Sequence, residues 1–330
     1  MTNHEDPKIS KDDNREIQMT KYMKIKAGAV ALGLSAAAAV PAQADVFNVP
    51  DADWTGGLVT CRILTTIMEQ EMGHKVRHIT MPSGAGVYEG LRSGDLDFAC
   101  EGWPSYSSSK EEYINEYGGD GSVIKFGNVG VVGASSYYVP RYLVEGDGAP
   151  APDLKTLQDL NNYVDLFKAL ETGDKGRILG CPVAAWECDD TKRMEMLGVN
   201  FMAVELGSET AHWAELQAAY ARQEPIVAYA WEPHWIHAEL DLVALELDPY
   251  GDGSAWPKSG WAEDVTYNYG RPGMMTEHPD VAALIANSNL TNAMQATMIH
   301  AIDVEGRDVD EVVQEWLENN EDVWRAWLPN

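Results

Sequence analysis

From Leu58 to Met72 the apolar residues recur at helical spacing and then stop at Gly73, which predicts an amphipathic helix. It is flanked by Val46-Phe47-Asn48-Val49 and by Lys75 to Thr80, both of which predict strands. Ser83-Gly84-Ala85-Gly86 opens a short helix through Leu91, and Gly94-Asp95 turns the chain. A third strand is predicted at Leu96-Asp97-Phe98-Ala99-Cys100, stopping at Glu101-Gly102-Trp103-Pro104. This strand-helix-strand-helix-strand order predicts a parallel sheet whose strand-end loops form a site.

The middle of the chain repeats the logic. Helical segments are expected near Leu154 to Leu170, followed by a Gly-Asp-Lys-Gly turn, a strand into Cys181 and helices from Asp190 onward. Pro225-Ile226-Val227-Ala228-Tyr229-Ala230 reads as a buried strand ending at Trp231-Glu232-Pro233-His234-Trp235, and the tail from Asp280 to Trp327 reads as helical. The expected architecture is α/β, with two lobes and a ligand cleft between them.

The N-terminus changes what counts as the folded chain. Lys21, Lys24 and Lys26 precede an uncharged apolar run from Ala27 to Val40, and Ala42-Gln43-Ala44 is an A-x-A cleavage site. This predicts a signal peptide over residues 1–44, including an upstream extension, and a mature protein starting at Asp45. No Cys sits at the cleavage site, which argues against a lipid anchor there and for release into a periplasm. The apolar run is shorter than the roughly 20 residues that span a bilayer. With 24 basic and 52 acidic residues and a net charge of −28, the surface repels phosphate backbones and anionic lipids, so nucleic acid is not an expected partner.

Four cysteines, Cys61, Cys100, Cys181 and Cys188, form an even set in an exported chain, where oxidation is permitted. Cys181 and Cys188 are expected to close a short disulfide loop around Trp186, leaving Cys61 and Cys100 as a second pair. One C-x6-C is not a zinc pattern, and no metal or other cofactor is expected. The acidic turns at Gly118-Gly119-Asp120-Gly121 and Tyr250-Gly251-Asp252-Gly253 lack the ligands of a calcium loop. Trp54, Trp103, Trp186 and Trp231 all fall after predicted strands or in turn-rich loops, where ligands are met. Trp213, Trp316, Trp324 and Trp327 lie in helical segments and are read as packing residues. Rings converging from loops answer one chemical problem: a fully methylated ammonium has no N–H to hydrogen-bond, and the negative faces of aromatic rings recognise its charge.

Glu101-Gly102-Trp103-Pro104-Ser105-Tyr106, the Cys181 to Cys188 loop around Trp186, and Trp231-Glu232-Pro233-His234-Trp235 occur in an order that resembles the periplasmic glycine betaine, choline and trimethylamine N-oxide binding proteins of ABC importers. The resemblance covers nearly all of the expected mature chain. It implies a type II periplasmic-binding-protein fold, a monomer that hands its ligand to importer membrane subunits, and a cage of Trp103, Trp186 and Trp231, with Trp54 a further candidate. It also implies that backbone N–H groups of Glu187 and Cys188 face the ligand's polar end, as helix N-termini do for anions. The expected lobes are 45–140 plus 250–330, and 141–249.

Two residues depart from the betaine binders. Glu101 stands where a neutral residue is usual, and Tyr106 where a His often meets a carboxylate. An ionised Glu about 4 Å from a ligand carboxylate would cost up to about 4 kcal/mol at an effective dielectric of 20. The expected ligand is therefore trimethylamine N-oxide or choline, with glycine betaine the alternative. An enzyme on the same fold, using Glu101 or His234, is the reading from another class, and the absence of any nucleophile elbow, phosphate loop or dinucleotide fingerprint counts against it.

Overall fold

The computed structural model describes residues 45–329 except 107–108, 182–185, 187, 189 and 250–258. The leader and cleavage site read from residues 1–44 therefore lie outside the described residues, as does Glu187. Nine strands are formed: β1 (Val46–Asp51), β2 (Lys75–Thr80), β3 (Phe98–Gly102), β4 (Ile124–Pro140), β5 (Gly176–Leu179), β6 (Phe201–Val204), β7 (Ala228–Glu232), β8 (Leu242–Ala244) and β9 (Asp264–Gly270).

The first predicted sheet forms only in part. β1 and β2 pair in parallel, but β3 pairs antiparallel with β9, in a seven-stranded sheet ordered β3-β9-β4-β7-β5-β6 with β8 against β4. Beside β1 the chain is held by Asp97, whose N–H donates to the Asn48 carbonyl at 2.9 Å and whose Oδ2 accepts the Asn48 N–H at 2.8 Å. β3 also begins at Phe98 and continues through Glu101 to Gly102, two residues beyond the predicted stop. The middle region keeps its parallel pairing, with β5 between β6 and β7. β5 and β7 are mostly buried, with Arg177 and Glu232 the charged exceptions, while three of the four β6 residues are only partly covered. The helical segments expected near Leu154 to Leu170 take the form of 3-10 turns at Gln158–Leu166 and Leu170–Thr172.

β4 is 17 residues long and serves both halves of the sheet. It pairs with β9 up to Gly133, opposite Asp264, and from Ala134, opposite Glu232, it pairs with β7. One core gathers Tyr137, Val139, Leu157, Ile178, Leu179, Met194, Leu216 and Val227 around β5–β7. Another gathers Phe47, Val49, Ile63, Leu64, Val131, Leu284, Val313 and Trp316.

The tail is helical as predicted. Pro279 stands at the first turn of the helix Pro279–Asn287. The Thr291 and Asp308 side chains accept N–H bonds at the starts of Asn292–Asp303 and Val309–Asn319. Val312, Val313, Trp316 and Leu317 then repeat at one face of the last of these and are buried. No helix of the described residues is long and apolar enough to cross a membrane.

Candidate functional site

The pocket is lined by Trp54, Glu101, Gly102, Trp103, Tyr106, Trp186, Tyr229 and Trp231, together with Ser83, Gly84, Tyr88 and Tyr269. All four tryptophans picked out in the sequence are thus brought together. Trp54 precedes the helix Thr55–Gln70, Trp103 follows β3, Trp186 lies in the Cys181 to Cys188 loop, and Trp231 lies in β7.

Three of the rings form successive walls. Trp54 meets Trp186 edge-on at 5.9 Å between centroids and 75°, and Trp186 meets Trp231 at 5.4 Å and 76°. Trp103 stands 6.1 Å from Tyr106 at 77°, and the Tyr106 and Tyr229 hydroxyls are 2.5 Å apart. Two glycines make room for this. A Cβ on Gly57 would lie 2.4 Å from the Trp54 ring, and one on Gly133 would lie 2.0 Å from the Trp103 ring, so neither position tolerates a side chain while the rings stay in place.

The indole N–H groups are also tied down. Trp186 Nε1 donates to Asp53 Oδ1 at 2.9 Å, and Trp103 Nε1 donates to Glu101 Oε1 at 3.2 Å. Glu101 is only 1% exposed and has a left-handed backbone (φ 58°), an unfavourable conformation for a residue with a Cβ. Thr60 Oγ1 donates to its Oε2 at 2.6 Å, and Gln295 Nε2 donates to the same oxygen. Burial raises its pKa, and the hydrogen bonds from Thr60, Trp103, Gln295 and Trp54 pull in the opposite direction. Every one of those donors is neutral. Among the described residues no Lys, Arg or His forms an ion pair with this carboxylate. A carboxylate already gathered by neutral donors and facing aromatic walls has room for a positive charge from elsewhere.

Cys181 and Cys188 are bonded to each other, as are Cys61 and Cys100. Cys188 is buried and is not one of the described lining residues, while Glu187, whose N–H is also expected to face the ligand, lies outside the described residues. Trp213 is 3% exposed and backs Trp231 at 4.9 Å, while Trp316, Trp324 and Trp327 sit in the core. Tyr229 was not singled out from the sequence. Its position two residues before Trp231 in β7 places both side chains on one face of the strand, which is a usable signal. Thr60 and Gln295 carry no comparable mark.

A family model described as the substrate binding domain of ABC-type glycine betaine transport systems matches residues 47–319. A trimethylamine N-oxide-binding protein of Pelagibacter ubique (strain HTCC1062) is 25% identical over 289 residues, covering 84% of this chain and 88% of that protein. A choline binding protein in complex with choline superposes with a TM-score of 0.69 at 22% identity, covering 86% of this chain and 91% of the other. Lactococcal OpuAC in its closed form with glycine betaine superposes with a TM-score of 0.65 at 18% identity, covering 86% of this chain and 100% of the other. The two structural likenesses establish the fold, a two-lobed α/β periplasmic-binding-protein architecture.

Proposed function

Because the chain belongs to the family of substrate-binding domains of ABC-type glycine betaine transport systems, we propose that it is the periplasmic capture protein for a small methylated-ammonium solute without a carboxylate, trimethylamine N-oxide or choline. The family consists of solute-binding components that work with importer membrane subunits and are not enzymes. Here the cation would sit among Trp54, Trp103, Trp186 and Trp231. Cation–π contacts of about 0.5 to 2 kcal/mol each, together with burial of the methyl groups, supply much of the roughly 8 kcal/mol of micromolar binding. The lobes are residues 45–140 plus 250–330, and 141–249. Two cores on either side of the β4 handover support a division into two lobes, with Tyr137, Tyr138 and Val139 of β4 packed in the core around β5–β7.

Glu101 carries the choice of ligand. A buried carboxylate without a protein cation attracts a cationic head and repels a second carboxylate. For trimethylamine N-oxide, a proton held by Glu101 bridges to the N-oxide oxygen. The 25% identity to a trimethylamine N-oxide-binding protein supports that ligand over choline.

Calorimetric titration of choline, trimethylamine N-oxide and glycine betaine into the wild type and Glu101→Gln tests this. Gln keeps the shape and removes the charge, and the substitution should weaken the first two by about 1.5 to 3 kcal/mol. Any loss through loosened indoles is common to all three ligands and cancels in their ratio, so glycine betaine should gain relative to both. The pH dependence separates the two favoured ligands. As pH falls through the raised pKa of Glu101 its charge is lost, so choline should bind more weakly and trimethylamine N-oxide as tightly or more so. Equal losses for all three ligands in Glu101→Gln would leave Glu101 a ring-orienting residue and defeat the choice.

A further inference from the structure

Behind the pocket a second set of polar groups ties the two cores together. Glu209 opens the helix Glu209–Ala221, whose Trp213 and Leu216 belong to the core around β5–β7, while Thr55 opens the helix Thr55–Gln70 of the other core. The Thr55 N–H donates to Glu209 Oε2 at 2.9 Å, and Thr55 Oγ1 donates to Asp303 Oδ1 at 2.7 Å. In the reverse direction, Trp235 Nε1 donates to Asp303 Oδ2 at 3.0 Å. Oxygens of Glu209 and Asp303 and a ring nitrogen of His234 lie within 4.8 Å of one another. None of these residues lines the pocket, but Thr55 directly follows Trp54.

We propose that Glu209 is a positioning residue that clasps the segment carrying Trp54 across the cleft, and that making the clasp takes up a proton. Two carboxylates this close, with Glu209 buried, cannot both hold their charge without repulsion. The titratable groups facing Glu209 are Asp53 before the helix Thr55–Gln70, Asp303 at the end of Asn292–Asp303, and His234 after β7. No Lys or Arg of the described residues pairs with it. His234 does not supply the missing charge. Its Nδ1 accepts the Ile236 N–H at 3.2 Å, so in the neutral ring the proton is on Nε2 and points to Glu209, and burial holds its pKa down at about 3. The same tautomer argues against a metal, which would need that Nε2 lone pair.

Burial in the clasp pushes the Glu209 carboxyl up to about 7, and burial followed by the Glu209 charge raises Asp303. Opened to water, Glu209 returns to the ordinary carboxylate range. Its folded, clasped form therefore binds the proton more tightly, and clasping is favoured as pH falls from above 7 toward that range, with no further gain below it.

The proposal rests on the reading that ligand binding shuts the cleft, so it is tested both without and with ligand. Scattering from the ligand-free full chain should show a smaller radius of gyration at about pH 6 than at about pH 8, while Glu209→Gln, neutral throughout, should be compact at both. In calorimetry with choline, run in buffers of different ionisation enthalpy, the wild type at about pH 6 should take up more protons per ligand than Glu209→Gln, by at most about one and by less the more of the ligand-free protein is already clasped, and should gain up to about tenfold more affinity than the variant between about pH 8 and about pH 6. Asp303→Asn, which removes the like charge at a more exposed position, should move the compaction to lower pH and guards against a Glu209 variant that fails to fold. A pH-independent radius in the wild type, or the same pH response in all three proteins, overturns the clasp. Compaction by acid without any choline heat would keep the clasp and count against the cage as a choline site.

Discussion

Replacing Trp231 by alanine is expected to weaken ligand binding by about 1 to 3 kcal/mol, fivefold to more than a hundredfold. Trp231 is 5% exposed and stands between Trp186 at 5.4 Å, Tyr229 at 5.6 Å and Trp213 at 4.9 Å, so its removal takes away one wall of the proposed cage and the support of another. Trp103→Ala and Trp186→Ala should fall in the same range. Phenylalanine at any of the three should cost less, because a weaker quadrupole remains. Trp324 is the control. It is equally buried, and its Nε1 donates to the Leu317 carbonyl at 2.8 Å, far from the pocket lining. Trp324→Ala should lower stability by about 3 to 5 kcal/mol and leave affinity nearly intact. Calorimetry and thermal unfolding on the same samples separate the two effects, and equal affinity losses at Trp231 and Trp324 would mean that packing residues have been mistaken for a site.

The second large effect is on the scaffold. Cys61 in the helix Thr55–Gln70 and Cys100 in β3 are bonded across a sequence separation of 39. In the chain-entropy account a loop of that length contributes about 4 kcal/mol of stability, against about 2.5 kcal/mol for the short Cys181 to Cys188 loop. Replacing Cys61 and Cys100 together by Ser should therefore lower the urea midpoint well beyond the Cys181 and Cys188 pair. It should also disturb binding, because the helix carries Thr60 and begins beside Trp54, while β3 leads into Glu101 and Trp103. An unchanged midpoint would mean that the bond adds nothing to the packing of Ile63, Leu64 and Phe98 in the same core.

Trp54, Trp103 and Trp186 were legible because they stand where a strand or turn ends rather than on an apolar face, and Trp231 because it closes an apolar run, although it lies inside β7. The β7 neighbour of β5 was legible as an apolar run, whereas β6, at Phe201–Val204, falls in the stretch expected to be helical from Asp190 onward. The partner of β3 was not legible. Phe98 pairs with Gly270, more than 160 residues away, and nothing in either segment's alternation names the other. The helical segments expected near Leu154 to Leu170 form as 3-10 turns, a distinction that apolar spacing alone does not make. Glu101 was visible as an unusual residue, but its environment depends on Thr60 and Gln295, which reach it from two helices distant in sequence. Residues that act through another residue leave no periodic trace of their own.

The shared strand β4 has a mechanical consequence. A hinge made of two plain linkers lets bodies swing freely, whereas here a continuous ribbon crosses the divide, and any opening of the cleft must flex it where pairing passes from β9 to β7. That is the stretch, at Gly133, on which the Trp103 ring rests. Flexure would be felt first beneath that ring, so the wall tilts as the ribbon bends. Opening that bends this ribbon would therefore carry the Trp103 ring with it, linking the curvature of the sheet to the shape of the pocket.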